Sequence, residues 1–151
     1  MQMGSGEMSY SQWICFALIA GTVFAIVIVR EKQRERVIRR IAQAQGFVFP
    51  GGTLLKRFPF SKTSVARASS IRNAITGELG STTFLVFDCR FGAGKHSYSQ
   101  TIVAVKGSSE CLGFQRFDTT LVEEQVEDWT FFFRRKDLLL PEEIQTLLPT
   151  I

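Results

Sequence analysis

An uncharged stretch near the start of the chain limits its fold more than any other feature. Residues 13–29 read WICFALIAGTVFAIVIV and carry no charged side chain. As a helix this stretch would be about 26 Å long, close to the thickness of the hydrocarbon core of a bilayer. Tyr10 and Trp13 stand at one end, where amphipathic rings favour the headgroup region. The sequence therefore predicts a transmembrane helix over residues 13–29, with the lipid bilayer as its partner.

Two other interpretations of this stretch are open. It could be a buried helix of a soluble protein, although core helices of this length usually carry a polar stripe. It could also be a cleavable signal peptide, which needs a basic segment before the apolar run and a small-x-small cleavage site after it. Residues 1–12 hold no Lys or Arg, and no convincing cleavage site directly follows the run. A retained span is therefore the favoured interpretation.

The distribution of basic residues around the stretch predicts its orientation. None precedes it, and those that follow closely are Arg30, Lys32, Arg34, Arg36, Arg39 and Arg40. Because the cytoplasmic flanks of membrane spans are enriched in Lys and Arg, we expect residues 1–12 outside and residues 30–151 in the cytoplasm. Cys89 and Cys111 would then remain thiols in a reducing compartment.

Residues 30–46 form a basic juxtamembrane segment. No Gly or Pro occurs before Gly46, so the pattern predicts that the helix continues to that glycine. Two interpretations of these bases are open: they serve only to fix orientation during insertion, which is favoured, or they also attract anionic lipids. A nucleic-acid surface would interleave aromatic groups with the charges, and residues 30–45 contain none. Nucleic acid is therefore not expected as a partner.

The remaining residues, 47–151, predict a small α+β domain with a mainly antiparallel sheet and flanking helices. Two long strands joined by a glycine-rich loop would form a hairpin that pairs Phe91 with Ser97. The elements expected around them are short strands at Phe47–Phe49, Ile71–Thr76, Leu112–Phe117 and Trp129–Arg134, and a final helix at Pro141–Leu148. The aromatic residues of the Trp129–Arg134 segment could instead insert at a membrane surface, but a buried strand is favoured.

A set of polar and glycine positions resembles a known pattern. It comprises Asn73 to Gly77 with the spacing N-x3-G, then Gly80, Phe87-Asp88, and Gln100 to Ala104 with the spacing Q-T-x-x-A. This order resembles that of uncharacterised bacterial small single-span membrane-anchored proteins with a β-rich cytoplasmic domain. The resemblance covers residues 37–106 and implies the fold and a location in the bacterial inner membrane. The family has no known activity that could be transferred.

Few residues in the sequence suggest chemistry. The loop from Gly92 to Ser97 resembles part of a phosphate-binding loop, but His96 stands where Ser or Thr is required, and a strand rather than a helix follows. Asp88 and His96 could support proton transfer if the loop folded back; a structural ion pair and an exposed histidine are favoured. The acidic run from Glu123 to Asp128 lacks the spacing of a calcium loop, and a solvated loop is expected there. With one His and three Cys, no catalytic residue, metal ligand or cofactor is assigned.

The favoured function is therefore that of a single-pass membrane protein that presents its small cytoplasmic domain to a protein partner or stabilises a membrane complex. The alternative is a membrane-associated hydrolase or transferase that uses the region of Asp88 and His96. Ala17, Gly21 and Ala25 recur every four residues in the span. Small residues at this spacing allow two helices to approach closely, so the chain is also a candidate homo-oligomer.

Overall fold

The computed structural model describes residues 9–50, 62–107 and 120–148. It begins with one continuous helix, α1, at Tyr10–Ala44. Within the described residues α1 is the one helix long and apolar enough to cross a membrane. The chain divides into two compact units, Met1–Glu35 and Arg36–Ile151. The helix does continue through the basic segment, as predicted, and the last turns of α1 belong to the second unit.

The first unit is an exposed apolar helix. Its large side chains between Tyr10 and Val29 lie largely outside any core. The hydroxyl of Thr22 donates a hydrogen bond to the carbonyl oxygen of Leu18 at 2.8 Å. A polar side chain is therefore satisfied within the helix itself, as a hydrocarbon environment requires.

The second unit is an α+β domain built on a five-stranded antiparallel sheet, which confirms the predicted fold class. The strands follow the order β1-β2-β3-β5-β4. Their bounds are β1 Ala68–Leu79, β2 Thr82–Phe91, β3 Tyr98–Lys106, β4 Val122–Val126 and β5 Trp129–Phe133. A short helix, α2, at Pro141–Leu147 follows the sheet. The predicted strand at 112–117 lies outside the described residues.

The central hairpin exists, but its predicted register is wrong by one residue. Phe91 pairs with Tyr98 rather than with Ser97. After β2 the backbone turns at Gly92, with φ of 71°, and forms a 3-10 turn at Gly94–His96. The backbone N–H and the hydroxyl of Ser97 both donate to the carbonyl oxygen of Gly94, at 3.2 and 2.9 Å. Ser97 therefore belongs to the turn and is not available to the strand.

Strand β2 is buried on both sides, as its sequence predicts. One face carries Phe84 and Val86, which pack with the end of α1 and with α2. The other carries Leu85 and Phe87, which pack with β3, β5 and Val65. The α1 residues buried in the first cluster are Ile38, Ile41 and Ala42. The end of α1 is thus part of the core of the domain.

The acidic run from Glu123 to Asp128 is largely a strand and not the expected loop. Residues Val122–Val126 form β4, the edge strand that pairs with β5. Glu127 and Asp128 form the tight turn between them, and Glu127 has φ of 58°. Lys62 and Lys106 pair with these two carboxylates at 2.6 and 2.8 Å. The hydrogen bond from Lys106 lowers the pKa of Asp128, and the bond to Glu127 raises the pKa of Lys62.

Candidate functional site

Asp88 is held in a buried hydrogen-bond network at the centre of the sheet. The side-chain amide of Asn73 on β1 donates to its Oδ2 at 2.8 Å, and the hydroxyl of Thr101 on β3 donates to its Oδ1 at 2.7 Å. Asn73 reaches this position from a bulge in β1, where its φ is 53°. Both carboxylate oxygens of this buried side chain accept a hydrogen bond, so this arrangement joins three strands.

Thr101 extends the network beyond the sheet. Its Oγ1 accepts a hydrogen bond from the backbone N–H of Leu139 at 3.0 Å, and its own N–H donates to the carbonyl oxygen of Asp137 at 3.1 Å. The adjacent Gln100 accepts from the N–H of Lys136 at 3.3 Å through Oε1. Together these bonds attach the segment before α2 to β3.

The pairing of Asp88 with His96 that the enzymatic alternative requires is not part of this network. Asp88 lies within β2, three residues before its end, whereas His96 is exposed on the 3-10 turn. Neither residue lines either of the two clefts described in the domain. Arg90, also in this region, donates to the hydroxyl of Ser97 at 3.1 Å. The described geometry favours structural roles for these residues.

Gly77 has a steric role. A Cβ built there would lie 2.5 Å from a ring carbon of Phe47 and 2.5 Å from one of Phe84. The two rings meet edge to face with centroids 4.7 Å apart. Phe47 lies three positions beyond the end of α1, so the bare backbone of Gly77 makes room for the contact between the chain after α1 and the sheet. Gly77, Asn73, Asp88, Gln100 and Thr101 of the sequence pattern thus all have structural roles.

The described carboxylates and thiols show no metal centre. No group of three or more His, Cys, Asp or Glu side chains among the described residues could hold an ion. Glu124 accepts from the backbone N–H and the hydroxyl of Ser64 at 3.1 and 2.7 Å, so this acidic side chain caps a turn. Cys89 is buried, and burial together with the neighbouring charge of Asp88 raises its pKa. Such a thiol is unreactive at neutral pH.

A cleft of about 680 Å³ opens at the end of the sheet where β2 ends and β3 begins. Its cationic residues are Arg67, Arg135 and Lys136. Its aromatic wall includes Phe91 and Tyr98, whose rings stack with centroids 5.2 Å apart. Sequence reasoning missed this cleft because four separate segments contribute to it.

The chain was compared with family models, curated proteins and solved structures, and none of them matches. The roles given above therefore follow from the geometry of the chain itself.

Proposed function

We propose that this chain is a single-pass membrane protein whose α+β domain lies in the cytoplasm and binds a protein partner or stabilises a membrane complex. The observation that carries the proposal is α1, in which an exposed, uncharged apolar stretch is followed directly by the basic residues. A helix in water would not leave so many large apolar side chains exposed. Lipid is the environment that accommodates them.

Orientation is the first prediction. A green fluorescent reporter fused after Ile151 should be fluorescent, and alkaline phosphatase at the same place should be inactive, because the bases after the span are retained in the cytoplasm. The matched variant replaces Arg30, Lys32, Arg34 and Arg36 with Gln and adds three Lys to residues 2–6. This variant should reverse both signals. Active phosphatase on the wild-type chain would contradict the orientation. A measured molecular mass that corresponds to the chain without residues 1–29 would show that they are a cleaved signal peptide.

Association of the span through Ala17, Gly21 and Ala25 is the second prediction. A Cβ at Gly21 would meet no atom within 4 Å, so this face has room for a second helix. Gly21→Ile should reduce energy transfer between labelled chains in a bilayer severalfold, because the larger side chain prevents close approach. Ile19→Leu, away from this face, should leave it unchanged. Equal transfer for wild type and Gly21→Ile would exclude this face as the contact.

Partner binding is supported by β4, which lies at one edge of the sheet formed by the described strands. Its residues alternate between half-buried and exposed, and Gln125 is exposed. Edge strands present unpaired backbone groups to which another chain can add. A photo-reactive residue at Gln125 should cross-link one partner in membranes, whereas the same residue at Gln43, exposed on α1, should not. Identical cross-links from both positions would contradict a partner at this edge.

The alternative, a membrane-associated hydrolase or transferase that uses Asp88 and His96, has no specific observation in its favour. This activity requires that Asp88 and His96 reach one concave site, and neither residue lines a described cleft.

A further inference from the structure

The cleft between the ends of β2 and β3 has an unusual balance of charge. Arg67, Arg135 and Lys136 line it, and no carboxylate of the described residues does. Each ion pair described in the domain involves other bases. In the part of the chain that the structure describes, these three cations therefore have no carboxylate partner. Unneutralised cations around a concavity attract an anion.

A buried side chain provides a second, independent observation. Gln100 lines the cleft and is only 5% exposed. Its Oε1 accepts from the backbone N–H of Lys136 at 3.3 Å, and a backbone N–H can only donate, so the oxygen must face that group. The NH2 group then has no hydrogen-bond partner among the described residues. A ligand acceptor in the cleft would give this donor a partner.

The remaining wall of the cleft is aromatic. Phe91 and Tyr98 stack with an angle of 15° between their planes, and the ammonium group of Lys136 lies 5.6 Å from the centroid of the Tyr98 ring. A volume of about 680 Å³ falls within the range of small-molecule sites, and a bare inorganic anion would fill little of it. The site therefore fits a ligand with both a charged group and a flat ring.

We infer that this cleft binds a small phosphorylated compound of mononucleotide size, with its phosphate among Arg67, Arg135 and Gln100 and its ring against the aromatic wall. Guanidinium groups match the geometry of phosphate oxygens and donate two hydrogen bonds at once. The loop at Gly92–Ser97 does not act as a phosphate-binding loop here, because its backbone forms a 3-10 turn rather than the start of a helix. Binding is instead a property of side chains from four segments.

The test is calorimetric titration of the full chain in detergent micelles with adenosine monophosphate. Arg67→Gln and Arg135→Gln should each weaken binding about tenfold or more, because each removes a charge-assisted hydrogen bond. Gln100→Glu retains the acceptor for Lys136 and replaces the donor with a negative charge, so it should also weaken binding by at least tenfold. The matched control is Lys95→Gln, an exposed cation on the 3-10 turn, which should change the affinity less than twofold.

Several outcomes would overturn the inference. No binding by the wild-type chain at millimolar nucleotide would exclude the site. Equal affinities for wild type and both arginine variants would place the nucleotide elsewhere. If adenosine binds as tightly as adenosine monophosphate, the phosphate does not contribute to binding. If inorganic phosphate binds as tightly as adenosine monophosphate, the ring does not contribute. Tighter binding of a ten-nucleotide single strand would assign the cleft to nucleic acid instead. Because both arginines are exposed, the unfolding midpoints of their variants should equal that of wild type. A loss of affinity in these variants is then not caused by a loss of folding.

Discussion

Gly77→Val should lower the free energy of unfolding by about 3 kcal/mol, because overpacking of a filled core commonly costs 1 to 3 kcal/mol or more. The added Cβ alone would lie 2.5 Å from both the Phe47 and Phe84 rings. Both rings are nearly or fully buried, so neither can move aside without disturbing the contact between the sheet and the end of α1. Urea unfolding of the full chain in micelles, followed by Trp129 fluorescence in a Trp13→Phe background, measures the change.

Gly80→Asn is the control for this substitution. Gly80 has φ of 59°, and a Cβ there would meet no atom within 4 Å. Because Asn tolerates this left-handed conformation better than most residues, we expect a loss below about 1 kcal/mol. A similar loss for both variants would mean that glycine flexibility, rather than the space between the two rings, accounts for the effect at Gly77.

Thr101→Val should cost a similar amount, about 3 kcal/mol, because it leaves buried polar groups without partners. The side chain retains its shape but loses the oxygen that donates to Asp88 and accepts from the N–H of Leu139. Thr101 is fully buried, so water cannot replace these bonds without opening the core. The same urea titration measures the loss, and amide exchange at Leu139 should become faster.

Thr130→Val provides the matched comparison. Thr130 lies in the same sheet, on β5, is half-buried, and has no side-chain hydrogen bond to described residues. Its substitution should change stability by less than about 0.5 kcal/mol. Equal effects of the two Thr substitutions would contradict the network.

Asp88→Asn should have a modest effect on stability, since an amide retains one acceptor oxygen. A folded Asp88→Asn chain that has lost a cellular function would favour the enzymatic alternative.

The sequence predicted those elements whose patterns are local. The helix over the uncharged run, its continuation through the basic segment and the two long strands of the hairpin each depend on neighbouring residues, and all of them are present in the structure. The prediction of the register failed because Ser97 bonds back to the 3-10 turn instead of pairing in the sheet. A pattern of residues does not reveal how many of them a turn will use. Strand β4 was missed because the charge of Glu123 and Glu124 concealed the alternation typical of an edge strand.

The networks and the cleft depend on contacts that are distant in sequence. Asn73 and Thr101 are 15 and 13 positions from Asp88, and only the sheet register brings them together. The pattern Asn73, Gly77, Asp88, Gln100 and Thr101 was visible in the sequence, but its meaning depends on the bulge in β1 and on the rings that cover Gly77. The cleft combines residues from the turn before β1 with others beyond β5. The charged residues of the cleft could be counted in the sequence, but its concave shape could not be predicted from it.

The position of the end of α1 has a consequence for the time course of biosynthesis. Ile38 and Ile41 share one apolar cluster with Ile144 and Leu147 of α2, about 100 positions later in the chain. A ribosome synthesises the first pair long before the second. If the proposed span inserts during translation, the nascent chain would carry an uncovered apolar stripe while the sheet is being translated. The domain can close only after α2 has left the ribosomal tunnel. Premature termination before Pro141 should therefore leave a tethered, incompletely folded chain, which would be a target for membrane proteases and chaperones.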